Sequence, residues 1–148
     1  MAPKGTESAL HSIFDSGAYA DATIRCGTRE FKIHKAIVCT QSEFFVNAFK
    51  QQAFKEGETV IITMNEDDPD IIAAALEFLY TSKYSLPADD RSTMLFHLAI
   101  YEIADMVQNW ELRALAENKF TTVARAYWNK GDFPLAVQKV YAVAPPGA

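Results

Sequence analysis

The chain has 148 residues, 49% of them hydrophobic and 22% charged, with a formal net charge of −5. That balance supports a buried core without metal or disulfide staples and excludes a disordered chain. The excess of acid leaves no electrostatic footprint for a phosphate backbone, so nucleic acid is not an expected partner.

Two cysteines, Cys26 and Cys39, make no disulfide framework. Nothing between Met1 and Gly5 leads into the apolar run of a secretion signal, and the apolar patches are broken by Glu77, His97 and Glu102 before they reach membrane-span length. The expected setting is intracellular, in cytoplasm, nucleus or both, with no membrane partner.

Residues 1–18 read as a lead-in, with Leu10, Ile13 and Phe14 on one stripe of a short helix that Ser16-Gly17 ends. Ala22 to Cys26 and Glu30 to Ile33 both alternate with period two around Gly27-Thr28, which predicts a β-hairpin. Ala36 to Cys39 is an apolar turn. Ser42 is an N-cap for a helix from Glu43 to Lys50, with Phe44, Phe45 and Phe49 available to the core. Thr59 to Met64 is β-branched and short, hence a strand. Asp68-Pro69 then starts a helix from Asp70 to Tyr80.

That helix and the next, Met94 to Ala104, are apolar on nearly every side, the mark of buried helices, here expected to form a central hairpin. Leu112, Leu115, Ala116, Phe120, Val123 and Tyr127 make a single stripe on a further helix. Asp132-Phe133-Pro134 opens a last one, running to Tyr141. The fold class is α+β, with a small sheet and a cluster of helices.

Chemistry is hard to find in this pattern. His11, His34 and His97 are far apart, and Cys26, His34 and Cys39 lack both a C-x-x-C knuckle and a fourth ligand, so no metal is expected. No nucleophile elbow, phosphate loop, dinucleotide fingerprint or H-E-x-x-H occurs. Glu66, Asp67, Asp68 and Asp70 are explained by a helix start more simply than by a cation site. No cofactor, catalytic group or small-molecule substrate is expected, and a hydrolase assembled from distant residues is the least favoured class.

Several of these segments, taken in order, resemble the signature of BTB/POZ domains. They are Asp21-Ala22-Thr23-Ile24, Phe31 through Val38, Ser42-Glu43-Phe44-Phe45, Phe54-Lys55-Glu56, Val60-Ile61-Ile62, Asp67-Asp68-Pro69, Phe78-Leu79-Tyr80-Thr81, and Leu98 through Asp105 with Leu112. The match runs from about Tyr19 to Leu115. It departs at Met106-Val107, where the family usually has lysine-tyrosine, and in the N-terminal elements that swap between subunits in many animal dimers, which are short or missing here. The tail resembles the fungal branch, with a helical extension. The expected layout is a lead-in over 1–18, a BTB/POZ domain over 19–115 and an extension over 116–148.

The resemblance implies a non-enzymatic interaction domain that binds itself, other proteins, or both. Self-association falls to Leu10, Ile13 and Phe14, giving a weak or concentration-dependent dimer, with a monomer as the alternative. Asp21 and Lys35 match the acid and base of a charged pocket in the repressor branch, or else form an ordinary ion pair. Phe54 and Glu56 match an apolar-x-Glu motif near the cullin contact of ubiquitin-ligase adaptors, or else belong to a plain loop with a buried phenylalanine. A cullin-ligase adaptor is thus the second reading, and a transcriptional co-regulator module a further one.

Overall fold

The structure is a computed structural model, and residues 5–51, 60–65, 67–86 and 93–126 are described here. The described elements, in order, are α1 (Thr6–Ser16), β1 (Ala22–Cys26), β2 (Arg29–Ile33), α2 (Lys35–Val38), α3 (Glu43–Gln51), β3 (Val60–Thr63), α4 (Pro69–Thr81), α5 (Thr93–Val107) and α6 (Trp110–Ala126). The last helix expected from the sequence, beginning at Asp132, lies outside the described residues. The chain divides into two units, Met1–Ser85 and Leu86–Ala148.

The first unit is built on a three-stranded mixed sheet in the order β2-β1-β3. β1 and β2 form the expected hairpin, antiparallel from Ala22↔Ile33 to Cys26↔Arg29. Gly27 takes a left-handed φ of 60° at the turn, and its amide donates to the Asn65 side chain at 2.9 Å. β3 runs parallel to β1 on its other side, pairing Ile24 with Ile62. Ala22, Ile24 and Cys26 share one face of the central strand and are buried together with Ile33 and Ile62, their cross-strand partners' side. On the opposite face Thr23 is buried while Arg25 is exposed and paired with Glu30 at 3.1 Å.

The helices of this unit begin and end where short polar side chains dictate. Ser42 Oγ accepts the Phe45 amide at 3.3 Å at the head of α3. Asp68 caps α4 by accepting the Asp70 amide at 2.9 Å, and Pro69 supplies the pre-set φ of the first turn. α4 stops at Ser82, which turns left-handed and returns its amide to the Phe78 carbonyl at 2.8 Å. Both α1 and α2 pack on α4.

In the second unit α5 packs along α6. α5 buries most of its circumference, through Met94, Phe96, Leu98, Ile100, Ile103, Ala104 and Val107, while Asp105 and Met106 in its last turn are exposed. Met94 and Ala124 form a cluster with Leu95, Phe120 and Val123, which uses the stripe read on α6. α6 runs unbroken across 115/116. Because α4 and α5 belong to different units, the helix pair described within the second unit is α5 with α6. No helix among the described residues is long and apolar enough to cross a membrane.

Candidate protein-interaction surface

α1 is an eleven-residue helix without a single buried residue. Leu10, Ile13 and Phe14 fall on its inner side and are half-buried. Phe14 sets its ring 5.0 Å from that of Tyr80 on α4, so the stripe is docked on its own subunit. Just beyond the same end of α4, Lys83 lies 3.8 Å from Glu7, an exposed pair of little energetic weight. Gly17 ends the helix at φ 71°, and a Cβ there would sit 3.0 Å from Lys32 Cβ. Beyond it Tyr19 also takes a positive φ, 64°, with its side chain almost wholly in solvent.

His34 and Tyr80 anchor this region. The His34 amide donates to the Tyr80 hydroxyl at 2.9 Å, the hydroxyl donates back to Nδ1 at 2.7 Å, and Nε2–H donates to the Ala18 carbonyl at 2.6 Å. This closed set fixes the Nε2–H tautomer. Burial pushes the Tyr80 hydroxyl up to about 12, so it remains a donor at any physiological pH. One histidine therefore ties the segment after α1 to the start of α2 and the end of α4.

Both ring nitrogens of His34 are committed to these bonds, and Cys26 Sγ donates to the Asp67 carbonyl at 3.0 Å. Burial raises the thiol pKa of Cys26 and of Cys39, the signature of inert packed cysteines rather than reactive ones. Among the described residues no group of three or more acids, histidines and cysteines converges on a metal-sized site.

Asp21 and Lys35 meet, but not as an ion pair. The Asp21 carboxylate accepts the Lys35 amide at 2.8 Å and so caps α2, while the Lys35 ammonium lies 5.3 Å from the centre of the Phe49 ring. The acid is held by the backbone and the cation is left over an aromatic face. Phe54 and Glu56 lie outside the described residues.

One aromatic group was not singled out by the sequence. Trp110 and Met106, at the corner between α5 and α6, are among the most exposed large apolar side chains. Trp110 lies off the Leu112, Leu115, Ala116 stripe of α6, on the polar side with Arg113 and Glu117. An indole out of phase with its helix's apolar face was the available signal.

The sequence profile of the BTB/POZ domain matches residues 10–117. The chain belongs to the BTB/POZ family. Human Kelch-like protein 40 is 31% identical over 80 residues, covering 54% of this chain. Mouse Kelch repeat and BTB domain-containing protein 4 is 29% identical over 90 residues, or 61% of this chain. The Drosophila transcription activator GAGA is 29% identical over 79 residues, or 53% of it. The matched stretch is only 12%, 16% and 13% of those proteins' lengths respectively. The BTB domain of zebrafish PATZ1 has the same fold, with a TM-score of 0.62 at 20% identity, covering 82% of this chain and 96% of that one. BTB/POZ domains are protein-interaction modules, and this α+β chain is one of them.

Proposed function

We propose that this domain acts without chemistry of its own, by associating weakly with a second copy and recruiting partner proteins inside the cell. Its contact residues are Leu10, Ile13 and Phe14 on α1, together with Asp21 and Lys35. The observation that carries the reading is that α1 buries none of its residues, although its apolar stripe already rests on α4. Covering that stripe with a second copy would gain part of the roughly 1.5–3 kcal/mol per large apolar side chain that full burial brings. Association entropy offsets much of this, so the dimer is expected to be weak and concentration-dependent. The layout proposed is a lead-in over 1–18, the BTB/POZ body over 19–115 and a fungal-type helical extension over 116–148.

Sedimentation equilibrium on the wild type and on Ile13→Asp tests this. A concentration-dependent average mass in the wild type that falls to the monomer value in the variant supports the reading. A wild type that stays monomeric at high concentration, or a dimer indifferent to Ile13→Asp, overturns it.

A second reading, a substrate adaptor of a cullin-based ubiquitin ligase, is favoured by the Phe54-Lys55-Glu56 segment and by similarity to two kelch-type BTB proteins. Glu56→Ala should then weaken binding to a cullin N-terminal region with little change in melting temperature. No binding by the wild type at tens of micromolar would remove this reading. Recruitment of transcriptional co-regulators through Asp21 and Lys35 draws its support from the similarity to the GAGA activator.

A further inference from the structure

The corner between α5 and α6 is fixed by its backbone. Gln108 adopts a left-handed φ of 61°, its amide returns to the Asp105 carbonyl at 3.2 Å, and the Asn109 amide reaches the Ala104 carbonyl at 3.0 Å. Asn109 Oδ1 then accepts the Leu112 amide at 2.9 Å and caps α6. On this rigid turn Trp110 is 59% exposed and Met106 39% exposed.

Arg113 holds the aromatic side chains in place. Its guanidinium carbon lies 4.9 Å from the Tyr101 ring centre and 5.5 Å from that of Trp110. Nη2 donates to the Tyr101 hydroxyl at 2.6 Å, and Nη1 is 3.6 Å from the Asp105 carboxylate. The only Lys or Arg between residues 94 and 118 is thus engaged within the corner. Trp, Tyr and Arg are the side chains that most often dominate binding energy at protein interfaces, and methionine adapts its shape to a partner.

Charge selects the partner. α5 carries no Lys or Arg, and Asp105 stands in its last turn, where the helix dipole is already negative. Glu102 on α5 and the exposed Glu111 and Glu117 on α6 add three more acids, of which Glu117 also acts electrostatically on Arg113. An exposed indole, with the exposed Glu111 next to it in sequence and the exposed Glu117 two turns along the same face of α6, is complementary to a segment that alternates apolar and cationic residues.

We propose that the α5–α6 corner is a docking site for a Lys/Arg-bearing amphipathic peptide segment of a partner protein. Trp110 and Met106 receive its apolar side chains, and Glu102, Glu111 and Glu117 receive its cations. The site uses none of the residues assigned to self-association, so the two readings fail independently.

Two short synthetic peptides probe the site by NMR titration of the 148-residue chain: one with leucine and lysine at helical spacing, and its twin with glutamate for lysine. The lysine peptide should shift signals centred on Tyr101 to Arg113, and Trp110→Ala should weaken it by about tenfold or more, as for an interface anchor. The double variant Glu102→Gln/Glu117→Gln keeps the aromatic side chains and should weaken binding several-fold; it decides the matter should Trp110→Ala fail to fold. Shifts scattered over the surface, affinity indifferent to these substitutions, or preference for the glutamate peptide would overturn the proposal. So would Trp110-dependent dimerisation without peptide binding, which assigns the corner to a second copy.

Discussion

His97 is buried on α5, and burial together with the nearby Lys119 ammonium pulls its pKa down to about 4 from 6.5. In the unfolded chain the imidazole binds a proton near 6.5, while the folded protein resists it until about pH 4. The stability this represents is complete above 6.5 and is lost as pH falls through that window. Between pH 7.5 and pH 5 the loss should be on the order of 2 kcal/mol. Urea denaturation at those two pH values, on the wild type and on His97→Gln, isolates this contribution from that of the carboxylates. Equal pH dependence in the two proteins would contradict it. Tyr80 makes a second residue-scale test. Tyr80→Phe leaves the His34 amide and Nδ1 without their partner in a buried site, and should cost about 1–3 kcal/mol in the same assay. The sequence offered no metal role for His34, and no hydrogen-bond partner for it could be read there. Tyr80 is 46 residues away, and only the packing of α4 brings its hydroxyl there.

Among the elements, the parts readable from sequence are those with a strong local period. The β1–β2 hairpin follows from alternation around Gly27, and α4 from Asp68-Pro69 and a run apolar on every side. The parallel pairing of β3 with β1 was not readable, because a crossover partner is chosen by the packing of the segments between the strands rather than by a turn. The α5–α6 corner was missed for a related reason: its stacking joins Tyr101 to Trp110 and Arg113 across a turn whose geometry rests on Gln108, not glycine. Two substitutions test the element assignments. Gly17→Ala must place a Cβ at left-handed φ against Lys32, and should destabilise by about 1–2 kcal/mol with a lowered melting temperature. Leu98→Asp puts a carboxylate into the buried face of α5 and should abolish cooperative unfolding by circular dichroism. A soluble variant that melts like the wild type would contradict the burial of that helix.

For the molecule as a whole, family membership came from many short motifs in the right order, and the matched region, 10–117, takes in the second half of the lead-in helix as well as the body read from the sequence. The candidate surface was less legible. The α1 stripe was visible as a period, but its docking on Tyr80 depends on tertiary placement. Asp21 and Lys35 were recognisable as neighbours, yet the sequence could not show that the acid serves α2's amide while the ammonium faces Phe49. The central claim is that α1 of one copy meets another copy through the apolar area it leaves exposed. A filtered NOE experiment on an equal mixture of carbon-13-labelled and unlabelled protein, at a concentration where self-association is detected, addresses it most directly. Intermolecular contacts from the Leu10 and Ile13 methyl groups are the expected result. Intermolecular contacts that arise elsewhere and spare α1, or none at all, would contradict it.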